Sequence, residues 1–154
     1  MKKLILLLLI ITSSCVGTRT YNYTVPNTQI DYYTSENTKK FDFPFSDATI
    51  VNNVIYVAGQ VGNIPGTNEI VPGGIKEETK QTMKNIEAVL TSLGSSMDKV
   101  FKCTCMLSDI SEWGDMSEEY KKFLKKNKRP SRSAFAGTGL ALGAKVEIEC
   151  WAVK

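Results

Sequence analysis

RPSRSAFAGTGLALGAKVEIECW, residues 129–151, decides how the chain folds. It holds two strand-like runs, a short one over residues 133–138 and a strictly alternating one over residues 145–153, joined by a loop built on Gly139 and Gly143. Strand side chains alternate with a period of two. Val146, Ile148, Cys150 and Ala152 therefore point one way, and Lys145, Glu147, Glu149 and Trp151 the other. Arg132 stands at the mouth of the first run. If the two runs form a hairpin, Arg132 comes near the Glu147 end of the second, within one subunit or across a subunit boundary. A guanidinium and a carboxylate converging on one cleft is the main chemical suggestion of the sequence.

Upstream, residues 48–51 and 54–58 are β-rich, and Asn52-Asn53 between them tolerates the positive φ of a two-residue hairpin turn. Residues 61–74, rich in glycine and containing two prolines, read as a long loop, and long loops on a rigid scaffold often carry function. A helix over residues 75–93 places Met83, Ile86, Val89, Leu90 and Leu93 on one apolar stripe, with Lys76, Glu77, Lys80, Lys84 and Glu87 mainly off it. Gly94 caps it. A strand over residues 100–107 follows, then a second helix over residues 111–126 that turns Met116, Tyr120, Phe123 and Leu124 inward. Lysines crowd its C-terminal end, where cations complement the helix dipole, which makes them a solvated face rather than an RNA site. The expected order is ββαβαββ, an α+β class with one mixed sheet. Two amphipathic helices can cover only one face of it. The face carrying Glu147, Glu149 and Trp151 then needs water or another subunit, and a tryptophan among carboxylates favours a subunit.

The first fifteen residues, MKKLILLLLIITSSC, have a two-lysine head, a short apolar run and small polar residues before Cys15. That is a signal-peptide pattern, and the run is too short for a permanent span. Cys15 sits as in a bacterial lipoprotein cleavage box, although Thr12 stands where an aliphatic residue is usual. Three segments are therefore expected: residues 1–15 as a removable signal with Cys15 as the lipidated residue, residues 16–40 as an extended tether, and residues 41–154 as the domain. The reading implies an exported, membrane-anchored lipoprotein of the cell envelope. Tyr21, Tyr23, Tyr32 and Tyr33 in the tether could instead pack on the domain surface.

Composition narrows the chemistry. With 154 residues there is room for one domain with a real core. The formal charge of +3 falls to about +1 once Lys2 and Lys3 are set aside, which gives no electrostatic case for nucleic acid. Histidine is absent, which removes the commonest general base and zinc ligand. Cys15, Cys103, Cys105 and Cys150 make no C-x-x-C pair. Cys103 and Cys105 share a strand face as small hydrophobes, and either could bridge to Cys150 in an oxidising compartment.

Four blocks in order, PFSDATIVNNVIYVAGQVG, QTMKNIEAVLTSLG, DKVFKCTCML and RPSRSAFAGTGLALGAKVEIECWA, resemble the RidA (reactive intermediate deaminase, YjgF) family across residues 41–154. The last block is similar to the family signature, a Pro-x-Arg-Ser leading through a Gly-rich loop to an aliphatic-Glu-Ile-Glu strand. The resemblance implies a chorismate-mutase-like α+β fold, a homotrimer whose sheets form a central barrel, and clefts at the subunit boundaries. It implies hydrolysis of enamine and imine intermediates to 2-oxo acids and ammonia, with no metal or cofactor. Arg132 would bind the carboxylate of a small imino or enamino acid, and Glu147 would assist water and proton transfer. Phe45, Ala58, Gly59, Ser117 and Ala134 fall on cleft positions. The family commonly has Tyr at the place of Phe45, Ser at that of Ala58, Asn near Ser117, and Cys or another polar group at that of Ala134. The competing readings are a non-catalytic trimeric module that holds small carboxylates and, last, an endoribonuclease.

Overall fold

The structure, a computed structural model, describes residues 28–154. The expected signal segment, Cys15 and the first part of the expected tether lie outside the described residues. Six strands and three helices follow in the order β1 (Ile30–Tyr33), α1 (Glu36–Lys40), β2 (Ala48–Val51), β3 (Val54–Val61), α2 (Ile75–Ser92), β4 (Val100–Leu107), α3 (Trp113–Tyr120), β5 (Ser131–Ala136) and β6 (Val146–Val153). From β2 onward this is the ββαβαββ order read from the sequence. The strands make one mixed sheet, β1-β2-β3-β6-β4-β5, in which β4 and β5 run parallel and every other pair is antiparallel.

The sequence explains most of these elements locally. Asn52 has a φ of 54°, so the β2–β3 hairpin turns where an asparagine accepts the left-handed region. In α2 Met83, Ile86, Val89 and Leu90 are buried, and Gly94 takes a φ of 75° just beyond the last turn. The second helix is shorter than its apolar pattern suggested. It holds regular geometry only over Trp113–Tyr120 and gives way to a 3-10 turn over Lys121–Phe123. Phe123 and Leu124 still pack against the core from that turn.

Ile30–Tyr33 departs from the expected tether: it pairs with β2, register Ile30↔Val51 to Tyr33↔Ala48. The free edge of β2 supplies the backbone partners that an extended segment would otherwise find only in water. Asp47 fixes the next turn. Its two carboxylate oxygens accept from the Ser35 amide at 2.7 Å and the Thr38 hydroxyl at 2.8 Å, and Thr38 is itself buried.

The core lies between the helices and one sheet face, where Ile55, Val57, Cys103, Cys105, Leu107, Val146, Ile148, Cys150 and Ala152 meet Met83, Ile86, Leu90 and Met116. Cys103 and Cys150 form a disulfide across β4 and β6, with a Cα–Cα separation of 4.2 Å, and Cys105 is left as a buried thiol. Of the two pairings open in the sequence, register selects this one, since Cys103 is directly opposite Cys150 while Cys105 faces Ile148. The other face is uncovered. There Tyr56 and Phe101 meet Trp151 edge to face at 5.1 and 6.4 Å.

The terminal hairpin is not formed. β5 does not touch β6, because β4 is inserted between them. The β4–α3–β5 unit is a parallel crossover, and its helix returns the chain to the far side of β4. Residues 137–145 then step back over β4 to reach β6. That loop is long enough for either route.

Candidate functional site

β3 carries an irregularity where it pairs with β6: Val57 faces Cys150, but the next pair is Gln60 with Ile148. The extra backbone between them holds Ala58 and Gly59, and bulges re-aim side chains in this way. Glu147, opposite Val61 on β6, lays its carboxyl over Gly59. A Cβ built on Gly59 would lie 1.9 Å from Glu147 Oε1, so the absence of a side chain is what lets the carboxyl rest there.

Glu147, Gly59, Ala58 and Phe45 line one half-open cavity of about 480 Å³, lined elsewhere by residues from α1, the stretch to β2, α2 and the loop residue Leu142. Burial holds the Glu147 carboxyl above its usual range, and the neighbouring Glu149 pushes the same way. No cation stands beside it among the described residues to oppose that shift. A carboxyl so placed keeps its proton to higher pH than an exposed glutamate, which is the direction of shift that general acid–base catalysis uses.

Arg132, Ala134 and Ser117 lie elsewhere. Arg132 faces Cys103 across the β4–β5 ladder, and Cys103 faces Cys150, so Arg132 projects on the helix-covered side of the sheet. Glu147 projects on the other. Within one chain the two residues expected to converge therefore point from opposite faces, with β4 between their strands. Ala134 follows Arg132 on the same side and packs against the core. The Ser117 hydroxyl is buried in α3 with no hydrogen-bond partner among the described residues.

What holds Arg132 is a pair of rings that sequence reasoning missed. Its guanidinium carbon lies 5.3 Å from the Trp113 ring centroid and 5.1 Å from that of Tyr120. Both rings come from α3, which packs over β5, and both distances suit cation–π attraction. No carboxylate forms an ion pair with Arg132 among the described residues, and a guanidinium fork of this kind can take a planar anion. Burial pushes the Cys105 thiol up to about 11, with the Arg132 cation pulling weakly the other way, so it packs as a neutral side chain. Spacing could have flagged the ring pair, since Trp113 and Tyr120 are seven residues apart and share a helix face.

Comparison with known proteins adds the following. Residues 38–154 match the family model described as Endoribonuclease L-PSP. The rat 2-iminobutanoate/2-iminopropanoate deaminase is 39% identical over 110 residues, 71% of this chain and 80% of the rat protein. The RutC family protein UK114 of Drosophila melanogaster is 38% identical, covering 71% of this chain and 79% of the fly protein. Among solved structures, YyfA of Yersinia pestis, a protein of unknown function of the conserved Rid protein family, superposes with a TM-score of 0.75. It is 31% identical over 82% of this chain and all of YyfA.

Proposed function

Because the chain belongs to the RidA/YjgF family, matched as Endoribonuclease L-PSP, we propose that it is an imine deaminase. It would hydrolyse 2-imino acids, and the enamines that tautomerise to them, to 2-oxo acids and ammonia. The observation that carries the reading is the Glu147 carboxyl, half-buried over Gly59 at the wall of a cavity, with its pKa raised by burial. Relatives named 2-iminobutanoate/2-iminopropanoate deaminase, near 38% identity, support the activity at the level of the family.

The site is proposed to be complete only between copies of the chain. One protomer supplies Phe45, Ala58, Gly59 and Glu147; a neighbour in a homotrimer supplies Arg132, Ser117 and Ala134. Two features support this: β5 is an edge strand that carries Arg132, and the aromatic face around Trp151 is uncovered. In the proposed reaction Arg132 holds the planar carboxylate bidentately. Water adds to the imine carbon, and its proton passes through Glu147 to the nitrogen. The carbinolamine's hydroxyl proton then passes to its amino nitrogen as the C–N bond breaks, which releases ammonia and leaves the 2-oxo acid. Neither step uses a metal or an organic cofactor.

The cavity wall lacks the hydroxyls that Tyr at position 45 and Ser at position 58 would bring, which favours one competing reading, a module that holds small carboxylates without turnover. Hydrolysis of 2-iminopropanoate, generated by an amino-acid oxidase, separates the two. Acceleration by the wild type and its loss in Arg132→Ala support the enzyme; carboxylate binding without acceleration selects the module. The proposal also covers export with a lipid on Cys15. The Cys103–Cys150 disulfide supports it, since such bonds persist in oxidising compartments. Fatty-acid labelling of the full chain in a bacterial host, lost in Cys15→Ser, is the test.

A further inference from the structure

Phe41, Phe43 and Phe45 occupy alternate positions in the stretch that leads into β2. Their rings form one continuous stack: Phe41 and Phe43 have centroids 5.7 Å apart, and Phe43 and Phe45 lie 5.2 Å apart and within 11° of parallel. Lys40 Nζ closes the far end, 5.1 Å from the Phe41 centroid. All three rings line the cavity that Glu147 lines. Phe45 falls on a cleft position of the family resemblance, and it is 51% exposed. An aromatic ladder on the wall of the cavity that holds a reactive carboxyl is not needed for hydrolysing an imine. It needs another explanation.

Two polar groups of the cavity wall are already committed. Asp47 is taken by Ser35 and Thr38, while Asn85 donates to the carbonyls of Val61 and Asn63 at 3.0 and 3.1 Å. The apolar surface left to meet a ligand is ring faces, with Val61 and Leu142, beside polar side chains such as Asn37 and Asn68. A volume of about 480 Å³ is in the range of pockets that enclose drug-sized molecules, several times what a three-carbon imino acid fills. Water against the ring faces finds no hydrogen-bond partner there, and an apolar group of the substrate would displace it.

We propose that the Phe41–Phe43–Phe45 face is a side-chain subsite, and that the substrate is a 2-imino acid with an aromatic side chain, as oxidation of phenylalanine gives. The inference rests on the deaminase reading and narrows it. The carboxylate and imine occupy the Arg132–Glu147 end, and the side-chain ring lies against the Phe45–Phe43 wall of the stack. Offset stacking at these centroid distances adds to the gain from simple burial.

The test uses the full chain and two imines, from phenylalanine and from alanine, made by an amino-acid oxidase, with kcat/KM measured for each. The expected wild-type ratio favours the aromatic imine by about tenfold or more, as specificity from apolar burial allows. In Phe43→Ala that ratio falls about tenfold, and in Phe43→Leu, which keeps the volume without the ring, it falls less. The ratio is insensitive to how much of the variant is folded. A wild type that prefers the alanine imine, or a ratio unmoved in Phe43→Ala, overturns the subsite. Calorimetric titration with phenylpyruvate and pyruvate reads the subsite without catalysis. Tighter phenylpyruvate binding that depends on Phe43 sustains it even if neither imine is hydrolysed, in which case only the deaminase reading fails. Equal binding of the two acids rejects it.

Discussion

Gly59→Ala is the sharpest perturbation the site offers. Gly59 does not occupy the left-handed region, so alanine is permitted by the backbone, and the whole effect falls on what the new methyl meets. It meets Glu147: the added Cβ lies 1.9 Å from Oε1 and 2.8 Å from Cδ. To regain ordinary van der Waals contact the carboxyl oxygen must retreat by roughly 1.5 Å. The glutamate tip is flexible, so it retreats by rotation rather than by breaking β6, and the stability cost stays within about 1 kcal/mol. Catalysis is less forgiving, because displacement of a reacting group by about 1 Å costs about a hundredfold in rate. The expected result is kcat lowered about a hundredfold on 2-iminopropanoate, with KM changed little because Arg132 is untouched. The assay is oxidase-generated imine consumption, with thermal unfolding alongside to establish that the variant is folded. A folded Gly59→Ala enzyme with kcat within about twofold of wild type would refute the assignment of Glu147 to proton transfer.

Trp113→Leu should raise KM about five- to tenfold and leave kcat within about twofold, because one of the two rings that position the Arg132 guanidinium is lost. Trp113→Phe should restore most of it, and an unchanged KM would mean that Tyr120 alone holds the cation. Reduction of the Cys103–Cys150 bond, with its sequence separation of 47, should lower the unfolding free energy by about 4 kcal/mol on the chain-entropy account. Urea unfolding with and without reductant measures that, and coincident curves would show that the pair is not bonded in solution. Glu147→Gln should abolish turnover and also change how stability depends on pH. The folded pKa of Glu147 is raised, so the wild type has its full contribution below the ordinary carboxylate pKa and loses it as pH rises through the raised value. The glutamine variant lacks that loss. It should match the wild type in acid and exceed it at neutral pH, and a parallel pair of stability curves would place Glu147 in free solvent.

How far the sequence could be read depends on which physical signal each element carried. α2 was legible because five apolar residues at helical spacing leave one way to bury them, and β6 because its alternation is strict. β5 carried no such signal. In Ser131–Ala136 the polar Arg132 is half-buried while Phe135 is 52% exposed, the reverse of what apolarity alone would assign. The two rings from α3 explain the inversion, since they make the buried side of β5 a place for a cation. Strand order was equally hidden. Period-two alternation says which residues of one strand share a face, but which strand lies beside it is a property of the loops. Residues 137–145 are compatible with a hairpin and with a step over β4, so the sequence could place Arg132 and Glu147 at two strand mouths without fixing their faces. The separation that results is itself informative. The half-buried Arg132 guanidinium and the half-buried Glu147 carboxyl have no ion-pair partner among the described residues, and no rotation of side chains within one chain unites them. A second copy that laid its β5 edge against the Glu147 face would bring the two together with one contact. On that reading assembly is a condition of the chemistry, and variants that weaken the contact should lose turnover in step with the loss of the oligomer.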